Sequence, residues 1–380
     1  MKWSWKIGEW QGIAVHVHAT FLILLGFVAL SHWSQGHSLA ATLEGVGLIL
    51  AIFGCVVLHE FGHALTAARF GIKTRDITLL PIGGVARLER IPSDPRQELW
   101  VALAGPTVNV VIAFCLFTWL ELTASYTPLD QMTATGGSFA QRLLIVNVFL
   151  VLFNLLPAFP MDGGRILRAI LATRMEYAKA TQIAASVGQA MALLFAFAGI
   201  FGNPFLLFIA FFVWIGAAQE SGMVQLKSSL GGIPVAMAML TDFRTLAPDD
   251  SIRRAVELIL DGSQHDFPVV ENGRVVGVLT RTDILASLAE RGRDATIASI
   301  ARKDFVAVDA AEMLATAFEK TQESACPTLP VLRDGSLVGL LTMENVGEFV
   351  AIRTALANAK RSGLHDTALP RSPSHLGKES

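Results

Sequence analysis

His59-Glu60-Phe61-Gly62-His63 sets two imidazoles four residues apart, with a carboxylate beside the first. On a helix, residues i and i+4 project from one face, so both rings can ligate a single zinc ion. Glu60 then lies where it can take a proton from a water held at that ion. The string closes a hydrophobic run, Ala40–Ala68, and two histidines with a glutamate are costly enough in lipid to read as functional. A hydrolytic zinc site needs three protein ligands and one open position. The best third donor is Asp162, in Asn154-Leu-Leu-Pro157-Ala-Phe-Pro160-Met-Asp162-Gly163-Gly164-Arg165, where prolines end an apolar run and glycines permit a tight turn. The expected cofactor is one zinc ion, held between helices by His59, His63 and Asp162.

The elements that must position these residues are membrane helices. Of 380 residues, 52% are hydrophobic and only 16% charged, which is unlike a soluble enzyme of this length. A net charge of −2 gives no reason to expect nucleic acid as a partner. Cys55 and Cys115 lie inside apolar runs and Cys326 stands apart, so no disulfide framework is expected and the soluble parts read as sitting in a reducing compartment. Apolar stretches suited to crossing a bilayer run over Ile13–Leu30, Ala40–Ala68, Trp100–Leu122, Leu143–Leu155, Ile183–Phe201 and Phe205–Gln219, about six spans with the fourth short. The first follows Lys2 and Lys6 but has no small-x-small cleavage site, so it reads as a retained span rather than a signal peptide.

Lys and Arg divide cleanly across such a six-span chain. Lys2, Lys6, Arg69, Lys73, Arg75, Arg87, Arg90, Arg96, Arg165, Arg168, Arg174, Lys179 and Lys227 fall on one side, while Ser31–Ser38, Glu121–Ala140 (but for Arg142 just beyond) and Gly202–Pro204 are bare. Because cytoplasmic loops retain positive charge, both termini are expected in the cytoplasm of a multi-pass cell-membrane protein, with His63 and Asp162 at comparable depth. Between spans two and three, Gly71–Glu89 alternates apolar and polar residues around Pro81 and Gly83–Gly84. It reads as a short β-hairpin dipping into the membrane, or else as an ordinary cytoplasmic loop.

From about Ile233 the composition becomes that of a soluble α/β domain, and an internal repeat appears. Pro268-Val-Val-Glu-Asn-Gly-Arg-Val-Val-Gly-Val-Leu-Thr280 aligns without a gap on Pro330-Val-Leu-Arg-Asp-Gly-Ser-Leu-Val-Gly-Leu-Leu-Thr342. Asn-Gly and Asp-Gly suit type I′ hairpins, and helical patterns precede each copy at Ser251–Asp261 and Ala310–Thr321, giving strand, helix, strand, strand, helix twice. Thr280-x-x-Asp283 and Thr342-x-x-Asn345 stand where the second strand enters a helix, so a hydroxyl and an acceptor can reach a ribose while the helix N-terminus favours phosphate. The expected limits are a membrane core over 1–230, a tandem unit over 231–352 (copies about 233–292 and 293–352), and a disordered tail over 353–380.

Taken together, His59-Glu-Phe-Gly-His63, Ala104-Gly105-Pro106-Thr-Val-Asn109 and the Asn154 to Gly163 string resemble, in content and order, the site-2 protease family of intramembrane zinc metalloproteases (peptidase M50-like) over roughly Ile13 to Gln219. The repeat from about Met239 to Phe349 resembles a tandem pair of cystathionine-β-synthase (CBS) domains. The resemblance implies zinc at the two histidines and Asp162, water activation by Glu60, and a part for Asn154 in holding the substrate or the developing oxyanion. It implies that the hairpin at Gly83–Gly84 binds substrate as an added strand, and that Thr280 and Asp283 are contacts for an adenine nucleotide. The second copy has Asn345 in place of an acid, which puts two equivalent nucleotide sites in doubt.

Other readings stand beside these. Asn154 also suits simple helix termination. Cys55, one turn before His59, reads as a soft ligand or, more ordinarily, as a small buried hydrophobe. His16 and His18 read as interfacial or core residues, and Gly105-Pro106 as a point of close helix approach with Asn109 able to face the site. The CBS pair can serve for docking or homodimerisation instead of nucleotide binding. The function expected is cleavage of partner proteins in or near their transmembrane segments (regulated intramembrane proteolysis), modulated through the CBS pair. The principal alternative is a CBS-regulated ion transporter or channel with His59, His63 and Asp162 as an ion pathway; the least favoured is a silent scaffold.

Overall fold

The structure is a computed structural model that describes residues 3–34, 38–89, 92, 94–123, 137–324 and 326–361. The chain divides into two compact units, Met1–Val224 and Gln225–Ser380.

The first unit opens with a hairpin. Strands β1 (Ser4–Trp10) and β2 (Ile13–His18) pair antiparallel, with Trp10 opposite Ile13. The turn uses Gln11 at φ +49° and Gly12 at φ +79°, as a two-residue type I′ connection requires. This corrects the expected span over Ile13–Leu30. Ile13, Val15 and Val17 are buried while His16 and His18 point to the other face, a period of two that fixes a strand, so helix α1 begins only at Ala19 and ends at Ser34. Helix α2 (Leu39–Arg69) starts on the Ser38 side-chain cap and stops before Gly71 at φ +72°. Strand β3 (Thr74–Leu80) then pairs parallel with β2, and β4 (Gly83–Leu88) pairs antiparallel with β3. The sheet order is β1-β2-β3-β4, which leaves β4 on an edge.

Helices α3 (Pro95–Leu122), α4 (Phe139–Asn154), α5 (Asp162–Ala172), α6 (Tyr177–Phe201) and α7 (Phe205–Ser229) follow, the last continuing five residues past Val224. Among the described residues four helices, α2, α3, α6 and α7, are long and apolar enough to cross a membrane. They leave large apolar side chains such as Phe114, Leu194 and Phe208 exposed, as a lipid-facing surface does and a water-facing one rarely does. α1 and α4 are apolar but have 16 residues each, about 24 Å of helix against a hydrocarbon core of about 30 Å.

The second unit contains α8 (Ile252–Asp261), β5 (Phe267–Glu271), β6 (Arg274–Leu279), α9 (Arg281–Arg291), β7 (Val308–Asp309), α10 (Leu314–Glu323), β8 (Thr328–Arg333), β9 (Ser336–Thr342) and α11 (Met343–Arg361). Both hairpin turns take positive φ at the residues that tolerate it, Asn272-Gly273 and Asp334-Gly335. The copies differ at their start: the second has β7 beside β8, while the first has only a bridge from Leu246 to Val269. Each copy encloses its own core, around Ile252, Phe267, Leu279 and Ile284 in one and Leu314, Leu329, Val331 and Leu341 in the other. The expected tail is corrected in part: α11 runs on to Arg361, because the stretch Arg353–Arg361, with three alanines and no Gly or Pro, prolongs a helix begun at Met343. Residues 362–380 of that tail lie outside the described residues, as do Lys2, Arg90 and much of two of the loops bare of positive charge (35–37 and 124–136).

Candidate metal centre

His59 and His63 lie in the C-terminal third of α2, with ring centroids 4.8 Å apart. Asp162 is the first residue of α5, where the helix dipole favours a carboxylate. The loop before it approaches so closely that a Cβ at Gly163 would stand 2.1 Å from the Leu156 carbonyl oxygen, and one at Gly164 would stand 2.6 Å from the Phe159 nitrogen. The two glycines are therefore there for contact with the loop as much as for turning.

The three side chains converge. Asp162 Oδ2 lies 3.2 Å from His59 Nε2 and 3.1 Å from His63 Nε2, and the two Nε2 atoms are 3.1 Å apart. All three residues are buried. The other ring nitrogens are already used: His63 Nδ1–H donates to the Val101 carbonyl at 2.7 Å, and His59 Nδ1–H donates to Asn109 Oδ1 at 2.5 Å. Both Nε2 atoms thus carry lone pairs, and three electron-pair donors turned on one another repel unless a cation lies among them. Tetrahedral zinc with ligands at about 2.0–2.1 Å holds them about 3.3 Å apart, close to the spacing found. Gly105 leaves the room: a Cβ there would lie 2.2 Å from His63 Nε2 and 2.6 Å from His59 Nε2. The Gly105-Pro106 string is thus more than a packing contact.

A cavity of about 330 Å³ opens onto this cluster, lined among others by Glu60, Gly83, Gly84, Asn154 and Arg165. Glu60 follows His59 on α2 and forms no hydrogen bond or ion pair with the described residues; a Cβ at Gly84 would stand 2.8 Å from its Cγ. Gly83 has φ +140°, so β4 enters the site through backbone that only glycine takes without strain. Arg87 forks onto Asp76 at 2.9 and 2.5 Å and ties this edge strand to β3. Asn154 ends α4 and likewise makes no side-chain hydrogen bond to the described residues. The larger cavity, about 1020 Å³, is an almost wholly apolar groove among β1, β2, α1 and α2 that contains none of these ligands.

Several residues lie elsewhere. Cys55 is not in the cluster; its Sγ accepts from Asn147 Nδ2 at 3.4 Å. His16 and His18 are in β2, and His18 Nδ1 is 2.8 Å from Thr20 Oγ1. In the second unit, Thr280 Oγ1 donates to Asp283 Oδ2 at 2.6 Å, and Asp283 receives Arg302 at 2.7 and 2.8 Å, so its oxygens are occupied. Thr342 Oγ1 donates to Asn345 Oδ1 at 2.6 Å, and these two line a cavity of about 420 Å³ with His265, Asp266, Glu344 and Glu348. Sequence reasoning did not single out Arg165 or Asn147; each is a polar residue beside apolar ones, but nothing in its spacing set it apart.

Comparison with known proteins agrees with this chemistry. Residues 47–143 and 123–196 match the sequence model of peptidase family M50, and residues 233–290 and 297–351 each match that of the CBS domain. A zinc metalloprotease of Methanocaldococcus jannaschii is 35% identical over 281 residues, covering 73% of this chain and 78% of that protein. Stage IV sporulation protein FB of Bacillus subtilis is 27% identical over 172 residues, 45% of this chain and 52% of that protein. Among solved structures, the site-2 protease from Methanocaldococcus jannaschii aligns at 36% identity with a TM-score of 0.43, covering 58% of this chain and 95% of that one. The chain therefore belongs to peptidase family M50, the site-2 protease family of zinc metallopeptidases, and is a membrane protein with a tandem CBS pair in its C-terminal unit.

Proposed function

We propose that this metallopeptidase cleaves peptide bonds in or near the transmembrane segments of membrane-protein substrates, with zinc held by His59, His63 and Asp162. The observation that carries the reading is the convergence of three buried donors on one point beside Glu60, which has no hydrogen-bond or ion-pair partner among the described residues. Bound zinc would supply a Lewis acid that polarises the scissile carbonyl and makes water acidic. Glu60, with no competing hydrogen-bond partner among the described residues, accepts the proton lost by the attacking water and delivers one to the leaving amine. The Asn154 amide donates to the carbonyl oxygen as charge builds there, an interaction worth about 3 kcal/mol in a water-poor site. The free edge of β4, with Gly83 and Gly84 beside Glu60, takes the substrate as an extended strand; a helical segment must unwind before its peptide bond is accessible.

In this reading α1 and α4 join the four long helices as short spans, giving six, with both termini cytoplasmic and the β3–β4 hairpin at membrane depth. The core occupies 1–230 and the CBS pair 231–352. The pair modulates cleavage by binding an adenine nucleoside or nucleotide in the cavity beside Thr342 and Asn345, the site whose polar groups are not locked in an ion pair. Among the described residues that wall carries Asp266, Glu344 and Glu348 with no Lys or Arg, which favours ligands with few phosphates.

The test is turnover. Purified protein in liposomes with single-span substrates should cleave in a chelator-sensitive manner, and Glu60→Gln should keep its zinc while losing about two to four orders of magnitude in rate. Absence of chelator-sensitive cleavage across a broad substrate panel would favour the ion-pathway alternative. Calorimetric titration of the full chain with adenosine, AMP and ATP should give heat that Thr342→Val removes; no heat with any of the three would leave only docking or dimerisation for the pair.

A further inference from the structure

His63 is oriented directly by a backbone carbonyl, whereas His59 is not. Behind His59 runs a buried chain of amides across three helices. Asn109 Nδ2 of α3 donates to Asn147 Oδ1 of α4 at 2.8 Å, and Asn147 Nδ2 donates to the Leu143 carbonyl oxygen at 2.9 Å and to Cys55 Sγ of α2 at 3.4 Å. Asn109 and Asn147 are completely buried. An amide side chain can turn end for end, and the two orientations present opposite groups to a neighbour. Something must choose between them.

The Leu143 carbonyl makes that choice, because a carbonyl oxygen only accepts. It draws Asn147 Nδ2 toward itself, which turns Asn147 Oδ1 to Asn109. Asn109 must then offer Nδ2 to Asn147 and Oδ1 to His59. An oxygen facing His59 Nδ1 requires a proton there and leaves the lone pair on Nε2, the atom that faces His63 and Asp162. With Asn109 reversed, its NH₂ would face Nδ1, the proton would move to Nε2, and the ring could not ligate.

We infer that Asn147 is a positioning residue for the metal site: rooted in the Leu143 carbonyl, it fixes the amide orientation of Asn109 and thereby the histidine tautomer in which His59 binds metal. The inference rests on the reading of His59 as a ligand. Partners of ligating histidines commonly govern metal affinity by about 10–100-fold, and one step further out Asn147 should act at the lower end.

Zinc affinity of the full chain in detergent, measured by competition with a chromophoric chelator, tests it. Asn147→Leu should weaken binding about tenfold, whereas Asn147→Asp should stay within about threefold of the parent. A buried aspartic acid is neutral and isosteric, donating through its hydroxyl to Leu143 and accepting from Asn109 through its carbonyl. The double variant Asn109→Leu/Asn147→Leu should bind no more weakly than Asn109→Leu alone, since Asn147 acts only through Asn109. In metal-free protein, ¹⁵N–¹H correlation should show the His59 proton on Nδ1 in the parent and on both nitrogens in Asn147→Leu. If the leucine variant does not fold, Asn147→Thr keeps a hydroxyl for Leu143 but is too short for Asn109, and should show the same tenfold loss. Parent-like zinc binding by Asn147→Leu, equal weakening by Asn147→Asp, or additive losses in the double variant would each overturn the inference. His59→Ala separates the two levels: if it binds zinc as the parent does, the ligand assignment itself is wrong; if it loses zinc while Asn147→Leu does not, only the relay is.

Discussion

Gly105 and Asp283 show how much single residues decide here. A Cβ at Gly105 would lie 2.2 Å from His63 Nε2 and 2.6 Å from His59 Nε2, so both imidazoles would have to shift to admit it. Gly105→Ala is therefore expected to weaken zinc binding at least tenfold while leaving helix content unchanged, since alanine is the better helix former. Chelator competition alongside circular dichroism checks both halves of that statement. Asp283 is a matter of charge. Burial raises its pKa, but the Arg302 and Thr280 hydrogen bonds outweigh this and hold it below the usual carboxylate range. Its contribution to stability is thus complete above about pH 4 and is lost as pH falls through the lowered value. Asp283→Asn should cost about 1 kcal/mol or less at pH 7 and should flatten the loss of thermal stability as pH falls below about 4, as read from melting curves across that range.

At the scale of elements, the short helix α5 has to hold Asp162 against α2, and its own packing explains how. Arg168, 1% exposed, donates to Glu98 of α3 at 2.8 and 2.5 Å and to Glu220 of α7 at 2.5 Å, with its guanidinium 5.0 Å from the ring centroids of both Phe159 and Tyr177. Removing the cation leaves two carboxylates without it, one of them deeply buried, and breaking such a group costs about 3–5 kcal/mol. Arg168→Met is expected to lower the melting temperature in detergent and to loosen zinc with it, because Asp162 is carried on the same eleven-residue helix. Unchanged melting and zinc content would mean that α5 is held by its apolar face alone. The sheet has a comparable logic: β4 is an edge, and Gly84 is the only residue type that fits against Glu60 without moving it. Gly84→Val should slow cleavage more than it weakens zinc binding, a split visible by measuring both on one preparation.

For the whole molecule, the two units have separate cores, so metal and nucleotide chemistry can be probed independently on the full chain. Adding adenosine or AMP should change the cleavage rate in the parent but not in Thr342→Val, with zinc content equal in both. A change that persists in the variant would place the modulation elsewhere. The CBS repeat is unequal in this respect: Arg302 closes the first copy onto Asp283, while Leu240, opposite Leu340 in the second, brings no charge to Asn345.

The amino-acid sequence by itself determined the chemistry that depends on local spacing. Two histidines at i and i+4, a glutamate beside them and an Asn-Gly and Asp-Gly pair within a gapless repeat are legible because helix and hairpin geometry convert sequence distance directly into spatial distance. Asp162 was legible as a donor type, and charge along the chain suggested its depth. The N-terminal hairpin was also within reach, in the alternation of Ile13 to His18 after Gln-Gly, but apolar content outweighed period in that stretch. Other features were decided only by tertiary structure. Asn109 and Asn147 are 38 residues apart, and His59 and Asp162 103 apart, and no local rule brings them together. Nor could spacing tell that Arg302 would pair with Asp283, or that the backbone of Leu143 would be the root of an amide chain. Which buried polar group meets which is set by helix packing, because each must find a partner inside a low-dielectric interior and the available partners are known only once the helices are in contact.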